Sequence, residues 1–434
     1  MKRFLTQKLL LWKNLKKRKP LMINGARQVG KTYLVEQFGQ NYFKKVITVD
    51  FKEDTGVHGI FEKNLNSDKI INEMSIYLDV DIDLKKDLIF FDEIQNCPRA
   101  LTSLKYFYKY YPDAYVCCAG SLLGVGLNPG DFPVGKISTL NLYPMTFYEF
   151  LISMGESKLL EVIKTKDFSK SIHEKTWELL KIFFVTGGLP EVVSTYIENV
   201  KQPNVAFKQC RQLQKELFEN YLNDISKHSG KIKAVRIEAA FKSVPAQLAK
   251  ETRSKKFKFN GVLDNNSKFS YLQGPIEWLE KAGLVYKTLI CNKAASPLLG
   301  YTSDNTFGLY MFDIGILGAV NNLSYKSILS GDYGSYKGYF AENFVLNELI
   351  CNSGEDLFSW KEKQSQLEFL IDNQGEIIPV EVKSGINIRA RSLREYIKKY
   401  HPETSYILSG LPPGKKDNVT YLPLYLAAEI LNME

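Results

Sequence analysis

The chain has 434 residues, of which 44% are hydrophobic and 24% charged, which excludes a disordered or fibrous polymer and leaves room for roughly two to four domains with cores of their own. Lys and Arg exceed Asp and Glu by 9, a surplus compatible with a polyanion partner but too small to establish one. No run approaches the ~18 apolar residues of a membrane span, and Cys97, Cys117, Cys118, Cys210, Cys291 and Cys351 form no C-x-x-C pair, so a soluble cytoplasmic protein with reduced thiols is expected.

The basic start holds only Leu9-Leu10-Leu11-Trp12 as an apolar run, too short for a signal-peptide core. Pro20-Leu21-Met22-Ile23 then reads as a buried strand, and Thr32-Tyr33-Leu34-Val35-Glu36-Gln37-Phe38 as a helix. Between them Gly25, Ala26, Arg27, Gln28, Val29, Gly30, Lys31 and Thr32 form a complete phosphate-binding loop. Its backbone N–H groups would cradle the phosphates of ATP only if the chain curls tightly, and Gly25 and Gly30 permit that curl. Lys31 would reach the β- and γ-phosphates, Thr32 would offer its hydroxyl to Mg²⁺, and the helix N-terminus would face the phosphates. A plain Gly-containing turn is the alternative, and the strand–loop–helix context argues against it.

Ile47-Thr48-Val49-Asp50 is a second candidate strand. Leu88-Ile89-Phe90-Phe91-Asp92-Glu93 is a third, apolar enough to be buried on both faces of a parallel sheet. Its two carboxylates fall at the C-terminal end, where open α/β sheets place ligands. Asp92 would hold the Mg²⁺ shell and Glu93 would orient or deprotonate the attacking water. Tyr115-Val116-Cys117-Cys118-Ala119-Gly120-Ser121 reads as a further strand whose Ser121 would sense the γ-phosphate; an ordinary Gly-Ser turn fits the same residues. Arg99 is either an arginine finger on a neighbouring subunit or a solvated surface residue.

These blocks carry a resemblance. With Asp92-Glu93-Ile94-Gln95, Ala119-Gly120-Ser121-Leu122-Leu123-Gly124-Val125, Phe132-Pro133-Val134-Gly135-Lys136, Leu142-Tyr143-Pro144-Met145-Thr146-Phe147-Tyr148-Glu149-Phe150-Leu151 and Gly187-Gly188-Leu189-Pro190, the chain resembles the AAA-type ATPases whose C-terminal half is labelled domain of unknown function 4143. The resemblance implies a sensor-type role for Ser121.

Residues from about 150 to 230 read as helical, with Trp177, Leu180, Phe183 and Phe184 recurring at helical spacing, and would form either the lid of an AAA-type module or a plain spacer. Residues 231–290 read as a small winged helix-turn-helix, with helices starting near Val235 and Pro245, a third from Leu272 to Ala282, and a wing strand at 284–290. Within it, Lys255-Lys256-Phe257-Lys258-Phe259 alternates basic and aromatic residues, as a phosphate-tracking strip or an edge strand with one solvated face would. The family resemblance continues through Pro245, Gln247, Leu248, Lys256 and Phe257.

After loops at 291–306 and 322–336, a helix over 338–349 precedes strands at 357–360, 367–371 and 377–383, a helix near 391–400 and a strand at 405–409. That order resembles the restriction-endonuclease-like fold, whose motif implies Glu368 on one strand, Glu381 and Lys383 on the next, and Glu342 on the helix. Side chains two apart on a strand share a face, so Glu381 and Lys383 would act together. The three carboxylates would bind Mg²⁺ against a phosphodiester and Lys383 would stabilise the transition state. An exposed strand face bearing a Glu/Lys pair is the alternative. Gln366-Leu367-Glu368-Phe369 departs from the family's Glu-(Val/Ile)-Asp-Phe, which puts cleavage in doubt.

The expected architecture is thus α/β and multidomain: a P-loop ATPase core with a parallel sheet over 1–150, a helical lid or spacer over 151–230, a winged-helix-like connector over 231–290, and a restriction-endonuclease-like α/β domain over 291–434. The expected function is Mg²⁺-dependent ATP hydrolysis coupled to a nucleic-acid-associated, nuclease-like domain, with DNA, a protein or further copies of the chain as partners and no membrane. The alternative is a nucleotide-dependent switch or scaffold carrying an inactive nuclease fold.

Overall fold

The structure, a computed structural model, describes residues 1–434 except 121–132, 251–254, 264–267, 335, 355, 387 and 432–434. Its contacts divide the chain into two compact units, residues 2–143 with 281–283, and residues 144–280 with 284–434 and Met1.

The first unit runs α1 (Leu5–Lys13), β1 (Leu21–Asn24), α2 (Lys31–Tyr42), β2 (Val46–Asp50), α3 (His58–Lys63), α4 (Ser67–Tyr77), β3 (Leu88–Asp92), α5 (Pro98–Tyr110), β4 (Val116–Ala119) and β5 (Ser138–Asn141). Its strands pair in the order β2-β3-β4-β1-β5, every pair parallel. Composition follows position. The central strands β3 and β4 are apolar nearly throughout and buried at every residue, while the edge strands β2 and β5 alternate inward and outward positions. Met22, Ile89, Phe91 and Cys118 join Phe51, Phe61, Leu104 and Phe107 in one core. The register Ile23↔Ala119 and Phe91↔Cys118 brings the carboxyl ends of β1, β4 and β3 to the same sheet edge. Because β4 is inserted between β1 and β3, the loops after these strands meet around it.

The second unit begins with helices α6 (Phe147–Ser153), α7 (Ser157–Lys164), α8 (Lys170–Thr186), α9 (Pro190–Glu198), α10 (Pro203–Ser229), α11 (Lys231–Leu248) and α12 (Phe269–Lys281). It continues β6 (Val285–Cys291), β7 (Phe307–Met311), α13 (Ile314–Val320), α14 (Tyr325–Ser330), α15 (Tyr336–Ser353), β8 (Phe358–Glu362), β9 (Ser365–Asn373), β10 (Glu376–Val382), α16 (Arg391–Tyr400), β11 (Ser405–Ser409), β12 (Gly414–Lys416) and β13 (Val419–Pro423). Among the described residues its strands form one mixed sheet in the order β12-β13-β11-β10-β9-β8-β6-β7.

The family-like blocks have structural reasons. Thr146 and Glu149 form a reciprocal capping box at the start of α6, the Phe147 N–H donates to Glu348 Oε1 at 2.8 Å, and the Tyr148 hydroxyl donates to Glu429 Oε1 at 2.9 Å. Gly187 turns the chain at a φ of 68°, and a Cβ on Gly188 would lie 2.2 Å from the Met145 carbonyl oxygen. Asp313 accepts from the Gly188 N–H at 2.7 Å while capping α13 through Ile316.

Several expectations are corrected. The two helices expected near Val235 and Pro245 are the single α11, with Pro245 in its last turn, where the missing donor removes only one bond. The loop expected at 322–336 contains α14, and β12 and β13 extend the sheet beyond the strand expected to close it. The wing strand is β6, which pairs with β7 and β8 and is therefore built into the C-terminal sheet. Strand pairing across such sequence distances leaves no trace in local periodicity. No helix among the described residues is long and apolar enough to cross a membrane.

Candidate functional site

The phosphate-binding loop leaves β1 at Gly25, with a φ of 151°, and ends at Gly30, which adopts a left-handed φ of 90° and caps α2. A Cβ on Gly25 would fall 2.1 Å from the Leu142 carbonyl oxygen, so no other residue fits there. Gln28 also takes a positive φ, 65°, which tightens the curl between them. Lys31, only 8% exposed, folds back over the loop and donates to Gly25 O at 2.9 Å and Ala26 O at 2.8 Å. Burial lowers its ammonium to about 8, against the raising fields of Glu93 and Asp92.

Thr32, in the first turn of α2, donates its hydroxyl to Asp92 Oδ2 at 2.5 Å, joining the loop to the end of β3. Asp92 Oδ1 accepts from the Glu93 N–H at 2.9 Å. Burial raises the Asp92 carboxyl above its usual range, and these two hydrogen bonds pull it back. Glu93 takes a left-handed φ of 47°, which ends the strand and starts a 3-10 turn over Ile94–Asn96. Gln95 donates its side-chain amide to the Glu93 carboxylate. A hydroxyl and a carboxylate side by side are the hard oxygen donors that Mg²⁺ takes, beside backbone and a lysine suited to phosphate, so the residues fit Mg²⁺-nucleotide. Ser121 lies outside the described residues; β4, which precedes it, ends between β1 and β3.

Two contributors had no assigned role in the sequence reading. The buried Arg3 donates to Val29 O at 2.8 Å and to Tyr143 O, pinning the loop from behind. A lone arginine in a basic start carries no local signal of this. Gln95 did carry one, since it closes the Asp92-Glu93-Ile94-Gln95 block. Arg99 donates its Nε to the Phe61 carbonyl at 2.7 Å, an intramolecular use tying α5 to α3.

The second unit also gathers its expected residues. Glu342 on α15, Glu368 on β9, Glu381 on β10 and Lys383 just beyond β10 share one buried neighbourhood, and Lys255 joins them. Glu381 is only 3% exposed, so it does not lie on a solvated strand face. Lys383 pairs with Glu381 Oε1, Lys255 pairs with Glu342 Oε1, and the Val382 N–H donates to Glu368 Oε2 at 3.1 Å. Burial and the nearby Glu368 lift Glu381 to about 7, with Lys383 opposing. Burial likewise lifts Glu342, with Lys255 opposing. Among the described residues no three His, Cys, Asp or Glu side chains are placed to hold a metal ion. As folded, the cluster does not fit a divalent-cation centre, because ammonium groups hold two of its carboxylates.

The basic-aromatic run divides by period two. Phe257 is buried against Phe307, Lys256 and Lys258 are exposed, and Lys255 turns inward to Glu342. Lys255, Tyr310, Tyr339 and Glu342 line an open cleft of about 980 Å³ with Lys242 and Lys258.

Comparison with known proteins agrees with the sequence resemblance. Residues 17–151 match an AAA domain, residues 337–425 match the domain of unknown function DUF4143, and residues 178–327 match a further domain of unknown function, DUF8612. No curated protein matches the chain. Among solved structures, C. elegans PCH-2 is 15% identical with a TM-score of 0.28, over 48% of this chain and 66% of that one. The Thermotoga maritima RuvB Holliday junction branch migration motor is 12% identical with a TM-score of 0.32, over 65% and 88%. The Aeropyrum pernix ORC1 protein in complex with DNA is 14% identical with a TM-score of 0.27, over 75% and 92%. Likeness this distant says nothing about a substrate.

Proposed function

We propose that the first unit binds ATP with Mg²⁺ and hydrolyses it, and that this cycle acts as a nucleotide-dependent switch. The observation that carries the reading is the Thr32–Asp92 hydrogen bond, which sets a P-loop hydroxyl and a buried carboxylate side by side at the carboxyl edge of the sheet. The loop from Gly25 to Gly30 would bind the phosphates through backbone N–H groups, and Lys31 would exchange its two carbonyl partners for phosphate oxygens. Thr32 and Asp92 would hold Mg²⁺, which neutralises charge on the phosphates. Glu93, half-buried just beyond β3 and oriented by Gln95, would align and deprotonate the attacking water. Ser121 would report on the γ-phosphate.

ATP turnover and nucleotide affinity test this together. Glu93→Gln should keep ATP binding and lower kcat by about 10²- to 10⁴-fold. Unchanged turnover in that variant, or no ATP binding by the wild-type chain, would overturn the reading.

For the second unit the lysine-held carboxylates favour a nuclease-like fold that binds rather than cleaves. Its cleft carries Lys242, Lys250, Lys256 and Lys258, a lining suited to a nucleic-acid backbone. Binding to duplex and single-stranded DNA should weaken with salt and change with ATP, and no metal condition should yield cleavage by the wild-type chain. Cleavage that disappears in Lys383→Ala would reverse this assignment.

A further inference from the structure

α16 covers only part of the sheet it packs on. It lies against β9 and β10, where its Leu393 and Tyr396 join Trp360, Leu367 and Leu370 in one core. The sheet continues outward through β11, β13 and β12. Ile407 belongs to the same core, and Tyr421, its register partner on β13, packs against that core only partly buried, as does Val419. Between this strip of sheet and α16 runs an open groove of about 450 Å³, lined also by Ile388, Leu393 and Ile397. Ile386, a further lining residue, is 72% exposed.

The rims of the groove are cationic. Arg389 and Arg394 line it from the α16 side. On the sheet side, Lys416 stands opposite Val419 in the β12–β13 register and so shares the groove face, while Lys415, opposite Thr420, falls on the other face. Arg389, Arg394 and Lys416 are all exposed. Other cations of α16 have counter-charges of their own, Arg391 in Glu395 and Lys399 in Glu362. Among the described residues no carboxylate lines the groove, and none pairs with Arg389, Arg394 or Lys416.

An apolar floor between charged rims marks a surface built for a partner. Its width suits a helix. A second helix packed beside α16 at roughly 10 Å between axes would lie over two strands spaced ~4.8 Å apart, which is what β11 and β13 offer. It would set an apolar stripe on Ile407, Val419 and Tyr421, with one flank at Arg394 and the other at Lys416. A nucleic-acid backbone could use the cations but not the aliphatic floor, because phosphates are held by cations and N–H groups. An acidic flank satisfies the rims and an apolar stripe satisfies the floor.

We propose that this groove docks an amphipathic helix of a protein partner, with apolar residues at i, i+4 and i+7 and Asp or Glu on both flanks. The surface shares no residue with the P-loop, the lysine-lined cleft or the lysine-held carboxylates, and it goes beyond the function proposed above.

The test uses the full chain and a fluorescein-labelled synthetic helix with Leu at i, i+4, i+7 and i+11 and Glu on both flanks, followed by fluorescence anisotropy. It should bind at least about 10-fold more tightly than a peptide of the same composition in shuffled order. Arg394→Glu combined with Lys416→Glu should weaken it by about 10-fold or more, whereas Lys415→Glu, one residue away on the opposite face, should change it by less than about 2-fold. These side chains are exposed, so folding is not at stake, and ATP turnover should be unchanged in all the variants. Equal binding of the shuffled peptide overturns the proposal, as does an equal loss in Lys415→Glu, which would leave only diffuse attraction. Loss of duplex-DNA binding in the Arg394→Glu, Lys416→Glu variant that matches its loss of peptide binding would make the groove a nucleic-acid surface instead. Wild-type self-association in sedimentation that this variant abolishes would make the occupant a second copy of the chain and overturn it too.

Discussion

Lys31 and Lys383 both lie within the field of buried carboxylates, yet their ammonium groups are held differently. Lys31 rests on two backbone carbonyls while Asp92 rests on a neutral hydroxyl. Lys383 rests directly on Glu381, and Lys255 on Glu342. Carbonyl and hydroxyl partners are given up readily to a phosphate or a metal, because the charged group gains a stronger counter-charge in return. A carboxylate–ammonium pair has its counter-charge already, and an incoming ligand must separate the two. The pattern of partners, more than the inventory of residues, distinguishes a site ready for a ligand from one closed on itself.

That contrast can be broken by exchanging lysine for alanine in each place. Lys31→Ala should lower kcat/KM for ATP by about 10²-fold or more while leaving thermal stability nearly unchanged, since its partners are two neutral carbonyls and no buried counter-charge is left unpaired. Lys383→Ala should do the reverse. ATP turnover should stay at the wild-type level, and chemical denaturation should show a loss of about 1–3 kcal/mol, because Glu381 is left buried with both oxygens unpaired. If the two variants moved the same readout, the contrast would have no physical content.

Another buried carboxylate sharpens the point, because among the described residues it has no cationic partner. Among the described residues the Glu348 carboxylate accepts only the Phe147 N–H, and burial, with the field of Glu149 adding to it, raises it to about 8 from an ordinary 4.5. Below pH 4.5 it is protonated in both folded and unfolded chains and costs nothing. Between 4.5 and 8 the unfolded chain ionises first, so the folded state loses stability as pH rises, and above 8 the loss is complete. Glu348→Gln should remove this dependence. Its stability relative to wild type should climb by about a few kcal/mol across that window. Denaturation curves whose separation does not change with pH would contradict it. The smallest effect expected is at the capping box, where Thr146→Ala should cost about 1 kcal/mol in the second unit and leave ATP turnover untouched.

The first unit was legible in the sequence because its chemistry is written locally. Gly25 to Thr32 are eight consecutive residues that carry the proposed site, and Asp92 and Glu93 close a strand that its own apolar run announces. The AAA resemblance of residues 17–151 and the C-terminal domain of 337–425 were readable for the same reason. Strands β8 to β11 and helices α15 and α16 could likewise be placed to within a few residues, since each carries its own period.

The tertiary structure decided everything that depends on a distant partner. Arg3 holds the phosphate-binding loop through carbonyls 26 and 140 residues away. β6, read as a wing, joins a sheet whose other strands extend to Pro423. Lys255 looked like part of a solvated basic strip until the anchoring of Phe257 turned it toward Glu342. The sequence alone determines which groups a segment carries and which way they alternate, because those are properties of a few adjacent residues. Which charge meets which is settled only when strands far apart pair and the core closes, because burial chooses the face and the face chooses the partner.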